Sequence, residues 1–327
     1  MQTISIITLA LIPLTSSLRN VLVKELKIND IIKTLAFYLF SFPWLLLYIM
    51  IATIPIDVKQ FLFFIIETKE IFLTVTSSGI LMAVGWLLTN QAISKEDLSI
   101  VTPLQSLTPI IQVLLGICAF DTVYKFYHID EKINIKVVIG VWIFFCGFLY
   151  HFIHTLYKVR RTISKRRTIN SMMIVVAGAT LLSLSGISSR IGIHIKPEYK
   201  EVFVFWSTII ATICLSSGTI FYYLIFKKNI PDPLETKTDI SFENFIYLII
   251  IGLLTALVLL LESYAYKIVT LTATVSAFKR CSMFFDIIYE YIMDYRNGQF
   301  MMINLKKLIA PLLMFLGCII TILGNKY

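Results

Sequence analysis

Two adjacent cations, Lys279 and Arg280, fall in the middle of a long apolar stretch. Ionisable groups in such a setting are costly and ordinarily face a cavity, a partner or a passing ligand. They come about nine residues into the stretch, roughly 12 to 15 Å along a helix that rises 1.5 Å per residue. At that depth a long side chain cannot easily snorkel to headgroups, so the pair is expected to line a binding cavity. The alternative is structural pairing. Asp286 and Glu290 follow Lys279 at seven and eleven residues, which puts all three on one helix face with Met283 between them. Such a Lys279–Asp286–Glu290 seam would neutralise itself and leave Arg280 as the unpaired charge.

Three more ionisable residues stand out for their place in apolar runs. Arg19 and Arg190 occupy similar contexts, Thr15-Ser-Ser-Leu-Arg19 and Ile187-Ser-Ser-Arg190, close to the ends of their runs. They are expected either to help form two gates or to snorkel to headgroups. Glu262 sits near the end of its run and is a candidate proton carrier, with an interfacial carboxylate as the plainer reading. Trp86, Asn90, Gln105 and Tyr264 are expected to add polar and aromatic lining at similar depths. His151 and His154 are spaced to seat a metal, but no further His, Cys or carboxylate cluster accompanies them. No metal or cofactor is expected. The chain has no Walker lysine after a glycine-rich loop and no GxSxG or HExxH motif, so no enzyme is expected either.

The elements that must position these groups follow from composition. Of 327 residues, 57% are hydrophobic and 15% charged, and mean hydropathy is +0.82. Those values place the chain among polytopic membrane proteins. Ten spans of about 20 residues fit, and leave no room for a folded soluble domain. Apolar runs broken by charge place them near 3–23, 31–53, 71–94, 99–120 and 137–157, then 170–191, 201–226, 243–266, 271–293 and 308–325. The two sets are separated by a basic segment with six cations in the eleven residues from Lys158 to Thr168. This predicts an all-α integral membrane protein with a first five-helix repeat at 1–157, a linker at 158–169 and a second repeat at 170–327. The five cysteines all lie in apolar runs without CxxC spacing, and the N-terminus reads as a retained helix.

The chain matches itself weakly. An offset of 173 brings Ala92 onto Ala265, Leu98 onto Leu271 and Asp121 onto Asp294, while an offset of 170 superposes Ile133-Asn134 and Lys136 on Ile303-Asn304 and Lys306. Two halves of five spans must enter the membrane from opposite sides, which is the inverted-repeat plan of many secondary transporters.

The segment Ala92-Ile-Ser-Lys-Glu-Asp-Leu-Ser-Ile-Val-Thr-Pro-Leu-Gln-Ser-Leu-Thr-Pro109 resembles the first-half signature of the EamA-type drug/metabolite transporters. The stretch Ala265 to Phe285, with Ala277-Phe-Lys-Arg-Cys-Ser282, resembles its second-half counterpart. Met283 replaces the second-half proline, and the Gly-Glu that usually ends the fourth and ninth spans is absent. The resemblance implies a ten-helix carrier with a central cavity, working by alternating access. Triose-phosphate and nucleotide-sugar carriers are similar in plan. Lys279-Arg280 matches the ninth-span pair of the phosphate translocators, whereas their fourth-span lysine falls at Gln105, so phosphate is not carried over.

Orientation follows from 29 Lys and Arg against 20 Asp and Glu. Loops after odd-numbered spans hold 15 of the cations, the opposite side nine, and Arg19, Lys33, Arg190, Lys279 and Arg280 lie within or near spans. The side with 15 is expected to be cytoplasmic, and the positive balance calls for no nucleic-acid partner. The function expected is secondary transport of a small polar or amphipathic metabolite, with five intramembrane cations against Glu262, Asp286 and Glu290 favouring an anion or zwitterion. The alternatives are a proton-coupled exporter of amino acids or drugs and a non-transporting scaffold or receptor. The partners expected are the small-molecule substrate and the lipid bilayer, with a homodimer left open. The location expected is the cell (inner) membrane, or an endomembrane in a eukaryote.

Overall fold

In a computed structural model, the described residues are 2–26, 28–52, 58–95, 104–118, 135–159, 165–226, 242–268, 272–296 and 305–324, with Val101 and Lys125. Among them all regular structure is helical. The chain forms α1 (Gln2–Glu25), α2 (Asp30–Leu39), α3 (Ser41–Ala52), α4 (Val58–Phe63), α5 (Lys69–Lys95), α6 (Leu107–Cys118) and α7 (Ile135–Val159). It continues with α8 (Lys165–Ile195), α9 (Lys200–Phe226), α10 (Phe242–Ile268), α11 (Thr272–Arg280), α12 (Ser282–Arg296) and α13 (Leu305–Gly324). Among the described residues, six helical stretches are long and apolar enough to cross a membrane, from Asp30–Ile51 to Phe242–Lys267. Helix extends into both sides of the expected linker, to Val159 and from Lys165; residues 160–164 lie outside the described set.

Local chemistry sets the boundaries. Asn29 caps α2 by accepting a 2.8 Å bond from the Ile31 N–H, and Thr68 caps α5 through Ile71. The second apolar run is broken between Leu39 and Ser41. Pro43, two residues later, has no N–H to give to the preceding turn. Pro197 lies just beyond the end of α8, where it disfavours continuation of the helix.

The polarity of the bundle is inverted relative to a water-soluble protein. Met50, Ile51 and Ile135 are about three-quarters exposed, while Arg19, Asn90, Gln105, Arg280 and Asp286 are buried. A lipid solvent asks for this arrangement, because it cannot satisfy polar groups. Hydroxyls comply by bonding within their own helices, as Thr180 does to the Val176 carbonyl and Thr255 to that of Ile251.

The helices pair in a regular pattern. Helix α5 packs along α8, and α1 along α10; α5 also packs on α9, and α2–α3 on α10; α6 faces α11, and α7 runs against α13. Two crossings are close enough to need glycine. A Cβ on Gly317 would come within 2.6 Å of the Gly140 carbonyl oxygen, and one on Gly178 within 3.0 Å of that of Gly85.

Two interruptions matter for the site. The apolar run that sequence reads as one helix over 271–293 breaks at Cys281, whose N–H is shared between the carbonyls of Ala277 at 3.3 Å and Phe278 at 3.0 Å. The facing α6 is preceded by a turn at Ser106. These broken segments meet in the centre of the bundle.

Candidate functional site

A cavity runs between α5, α8, α10 and α11. Its inner end is formed by Met82, Trp86, Leu182 and Arg280, and its walls by Ser185, Ser189, Ser276 and the Lys279–Glu262 pair. It extends toward Ile193 and Tyr266, near the ends of α8 and α10. It offers about 60 Å³ to the centres of water molecules, room for several waters.

Arg280 is the last residue of α11 and 2% exposed. It reaches across to the facing break: Nη1 donates to Gln105 Oε1, and Nη2 to Thr108 Oγ1 at 3.1 Å. Its side-chain hydrogen-bond partners are thus neutral, and the two interrupted segments are bridged by a cation that also lines the cavity. Lys279 makes an ion pair with Glu262 of α10, Nζ to Oε1 at 2.5 Å. Its ammonium also lies 5.2 Å from the Trp86 ring centroid.

Asp286 is fully buried and accepts from Ser17 Oγ at 2.5 Å and Asn20 Nδ2 at 3.4 Å, both on α1. The break at Cys281 disrupts the continuous helix that the Lys279–Asp286–Glu290 seam required. Lys279 instead reaches across to α10, and Asp286 is held by α1. The Glu290 side chain lies outside the described residues.

Arg19 departs from its expected place at a span end. Helix α1 continues to Glu25, and Arg19 is 1% exposed in the bundle interior. Its guanidinium carbon lies 4.0 Å from the Trp86 ring centroid and 5.4 Å from that of Phe37, so it belongs to the central cluster and does not snorkel. Arg190, in α8, is also buried. Glu262 faces the cavity, on a helix, α10, that runs six residues past it to Ile268.

Trp86 lines this cavity, and Gln105 holds Arg280. Asn90 is buried away from it, donating to Thr34 Oγ1 at 2.9 Å. Tyr264 also faces elsewhere, within 5.9 Å of the Lys200 ammonium, and Tyr266 takes the lining position. Sequence reasoning missed the hydroxyl wall. Ser185 and Ser189 are one turn apart on α8, and both approach Ser78 of α5, with Ser189 at 2.7 Å. The i, i+4 spacing was the signal available for them.

The two ends of the bundle differ. The cavity points to the end where Lys196 pairs with Glu67 and Lys200 with Glu201. At the other end polar contacts tie four helices together. Lys24 Nζ donates to the Ile93 carbonyl at 3.2 Å, Lys33 Nζ to Ser94 Oγ at 2.8 Å, Ser94 to Asp30 at 2.5 Å and Tyr289 to Glu25 at 2.7 Å. No group of three His, Cys, Asp or Glu among the described residues is placed to hold a metal. His154 stacks on Tyr150 with ring centroids 6.3 Å apart.

No family model matches the chain, and no curated protein does. One solved crystal structure of a protein superposes with a TM-score of 0.61 at 12% identity, covering 100% of this chain and 99% of the other. At that identity the likeness concerns the fold alone.

Proposed function

We propose that the protein is a secondary carrier of ten membrane spans, built as two inverted five-helix repeats, that moves a small anionic or zwitterionic metabolite by alternating access. The pattern of helix contacts supports the repeats. With α1, α2–α3, α5, α6 and α7 as one half and α8, α9, α10, α11–α12 and α13 as the other, the first helix of each half lies on the third of its partner. The second likewise lies on the partner's third, the fourth helices face each other, and the fifth helices pair. Each contact occurs twice or joins equivalent helices, as a twofold relation requires. The central meeting of two broken helices is the arrangement in which carriers of this plan bind substrate. The resemblance to EamA-type transporters points the same way.

The observation that carries the substrate class is Arg280. A buried guanidinium held by neutral Gln105 and Thr108 has charge left to give, and it lines the cavity. Around it Arg19, Lys279 and Arg280 face Glu262 and Asp286, three cations to two carboxylates among the described residues. One negative charge on the ligand completes the balance. The cavity lies toward the side that carries fewer cations, so by the positive-inside rule it faces away from the cytoplasm.

The test is transport by purified protein in liposomes bathed in a mixed metabolite extract, with uptake read by mass spectrometry. Wild type is expected to accumulate particular anions. In Arg280→Lys, which keeps charge and loses the two-pronged fork, half-saturation should rise about tenfold, the equivalent of about 1.4 kcal/mol. Equal uptake by Arg280→Gln and wild type would sink the assignment of Arg280, and a wild type that moves nothing would favour a non-transporting scaffold.

A further inference from the structure

We infer that the anion taken by this carrier bears hydroxyl groups: it is a monoanion of sugar-acid type, with its charged end on Arg280 and its hydroxyls on the serines of α8 and α11. The inference rests on the carrier reading above and names the substrate class of the same site.

The charged end follows from what Arg280 has left to give. A guanidinium carries five N–H donors, and Gln105 and Thr108 take one each. Its Nε is buried without a partner, on a 2% exposed side chain that lines the cavity. A buried donor left unmade is costly, and an oxyanion supplies the acceptors. The Lys279–Glu262 pair stays closed in this arrangement. With Arg19 and Asp286 counted, one negative charge on the ligand then balances three cations against two carboxylates among the described residues. An ammonium elsewhere on the ligand would undo that balance, which separates hydroxy acids from amino acids.

The rest of the ligand is defined by the wall. Between Arg280 and the end marked by Ile193 and Tyr266, the cavity is lined by Ser185 and Ser189 of α8, Ser263 of α10 and Ser276 of α11. Two of these hydroxyls have already spent their hydrogens, Ser185 on the Ser78 carbonyl at 3.0 Å and Ser263 on that of Leu260 at 2.8 Å. Thr108, beside Arg280, has spent its own on the Gln105 carbonyl at 2.8 Å. Ser78 and Ser189 share a hydrogen across 2.7 Å. What these oxygens keep is mainly lone pairs, and acceptors call for donors on the ligand. Ser276 differs. It is 7% exposed, and its hydroxyl has no partner among the described residues, so it can both give and take a hydrogen bond.

Serines in membrane helices often bond their own backbone, and Ser263 alone would mean no more than that. Ser185 instead bonds across to α5, and Ser276 does not bond at all. Ser276 lies one turn before Arg280 on α11, as Ser185 lies one turn before Ser189 on α8. Four residues rise about 6 Å at 1.5 Å per residue, so hydroxyls spread over about that length from the charged end meet both walls. A ligand hydroxyl is donor and acceptor at once, which suits lone pairs on α8 and a free hydroxyl on α11 alike. An apolar carboxylate would desolvate the same wall without replacing its hydrogen bonds to water.

The experiment uses full-length protein in liposomes bathed in the mixed metabolite extract, with entry into protein-free liposomes subtracted. Each compound's initial entry rate is divided by its outside concentration and sorted by charge and hydroxyl content. Wild type is expected to favour hydroxylated monoanions about tenfold over amino acids and over monoanions without hydroxyls. Amino acids, divalent anions or unhydroxylated acids that enter as fast overturn the inference and leave the carrier reading standing. A wild type that moves nothing removes both. Ser276→Ala and the double variant Ser185→Ala/Ser189→Ala should each raise the half-saturation concentration of the best hydroxylated anion about tenfold, and leave that of its deoxy counterpart unchanged. Half-saturation unaltered in both variants, or raised equally for the deoxy compound, shows that the serines only support their helices and overturns the inference. Should the double variant not fold, wild type decides alone: equal half-saturation for the hydroxylated anion and its deoxy counterpart overturns it.

Discussion

The guanidinium carbon of Arg19 lies 4.0 Å from the centroid of the Trp86 ring, and the Lys279 ammonium lies 5.2 Å from the same centroid. One indole therefore serves two buried cations, from α1 and α11, and lines the cavity beside them. A cation over an indole face gains about 0.5–2 kcal/mol, more when desolvated. Trp86→Ala should thus destabilise the protein by about 3–5 kcal/mol once lost packing is included. Trp86→Phe, which keeps a weaker ring face, should cost less. Thermal unfolding in detergent orders the three proteins, and equal midpoints for Trp86→Ala and wild type would show that the stacking contributes nothing.

The Lys279–Glu262 pair makes a second prediction about stability. Removing one member of a buried ion pair costs about 3–5 kcal/mol, whereas replacing both with apolar residues is often nearly neutral. Lys279→Met and Glu262→Leu should each lower the unfolding midpoint, and the double variant should recover most of the loss. Additive losses in that cycle would mean that the two groups do not depend on each other.

The central charges were legible because lipid makes them expensive: Lys279, Arg280 and Glu262 could be singled out from one sequence, and they converge on one cavity. What sequence could not resolve was rotation and helix length. Tyr264 and Tyr266 are two residues apart, about 200° around a helix, and the inward one is Tyr266. Arg19 looked peripheral only because its apolar run appears to stop near Val23, while α1 runs to Glu25 and Arg19 points to the bundle centre. The alternative seam of Lys279 with Asp286 and Glu290 differs from the structure for a third reason. A break at Cys281 without a proline leaves no mark in the sequence, and it changes which carboxylate Lys279 reaches.

The crossing of α7 and α13 tests packing away from the site. Gly140 and Gly317 lie back to back, and a Cβ on Gly317 would stand 2.6 Å from both the Gly140 carbonyl oxygen and the Phe144 nitrogen. Backbone cannot move aside as a flexible side chain can, so Gly317→Val should force the helices apart at about 1–3 kcal/mol. Gly218, where an added Cβ meets nothing within 4 Å, is the control. A Gly218→Ala protein should unfold no earlier than wild type, and a Gly317→Val protein clearly earlier.

Sidedness gives the last prediction. The cavity points to the end where Lys196 and Lys200 lie, while Lys24, Asp30, Lys33 and Ser94 close the opposite end. A cysteine at Ser189, in a background with the native cysteines replaced, should react with a membrane-impermeant maleimide applied from the Lys196 side and be protected from the other. Lys33 is 3% exposed, pairs with Asp30 at 3.5 Å and donates to Ser94, so Lys33→Met should remove two of the contacts that close the far end. If closure there is what keeps the cavity one-sided, that variant should gain labelling from the far side and lose some from the near side. Unchanged protection in Lys33→Met combined with Ser94→Ala would show that the polar contacts fix helix ends without controlling access.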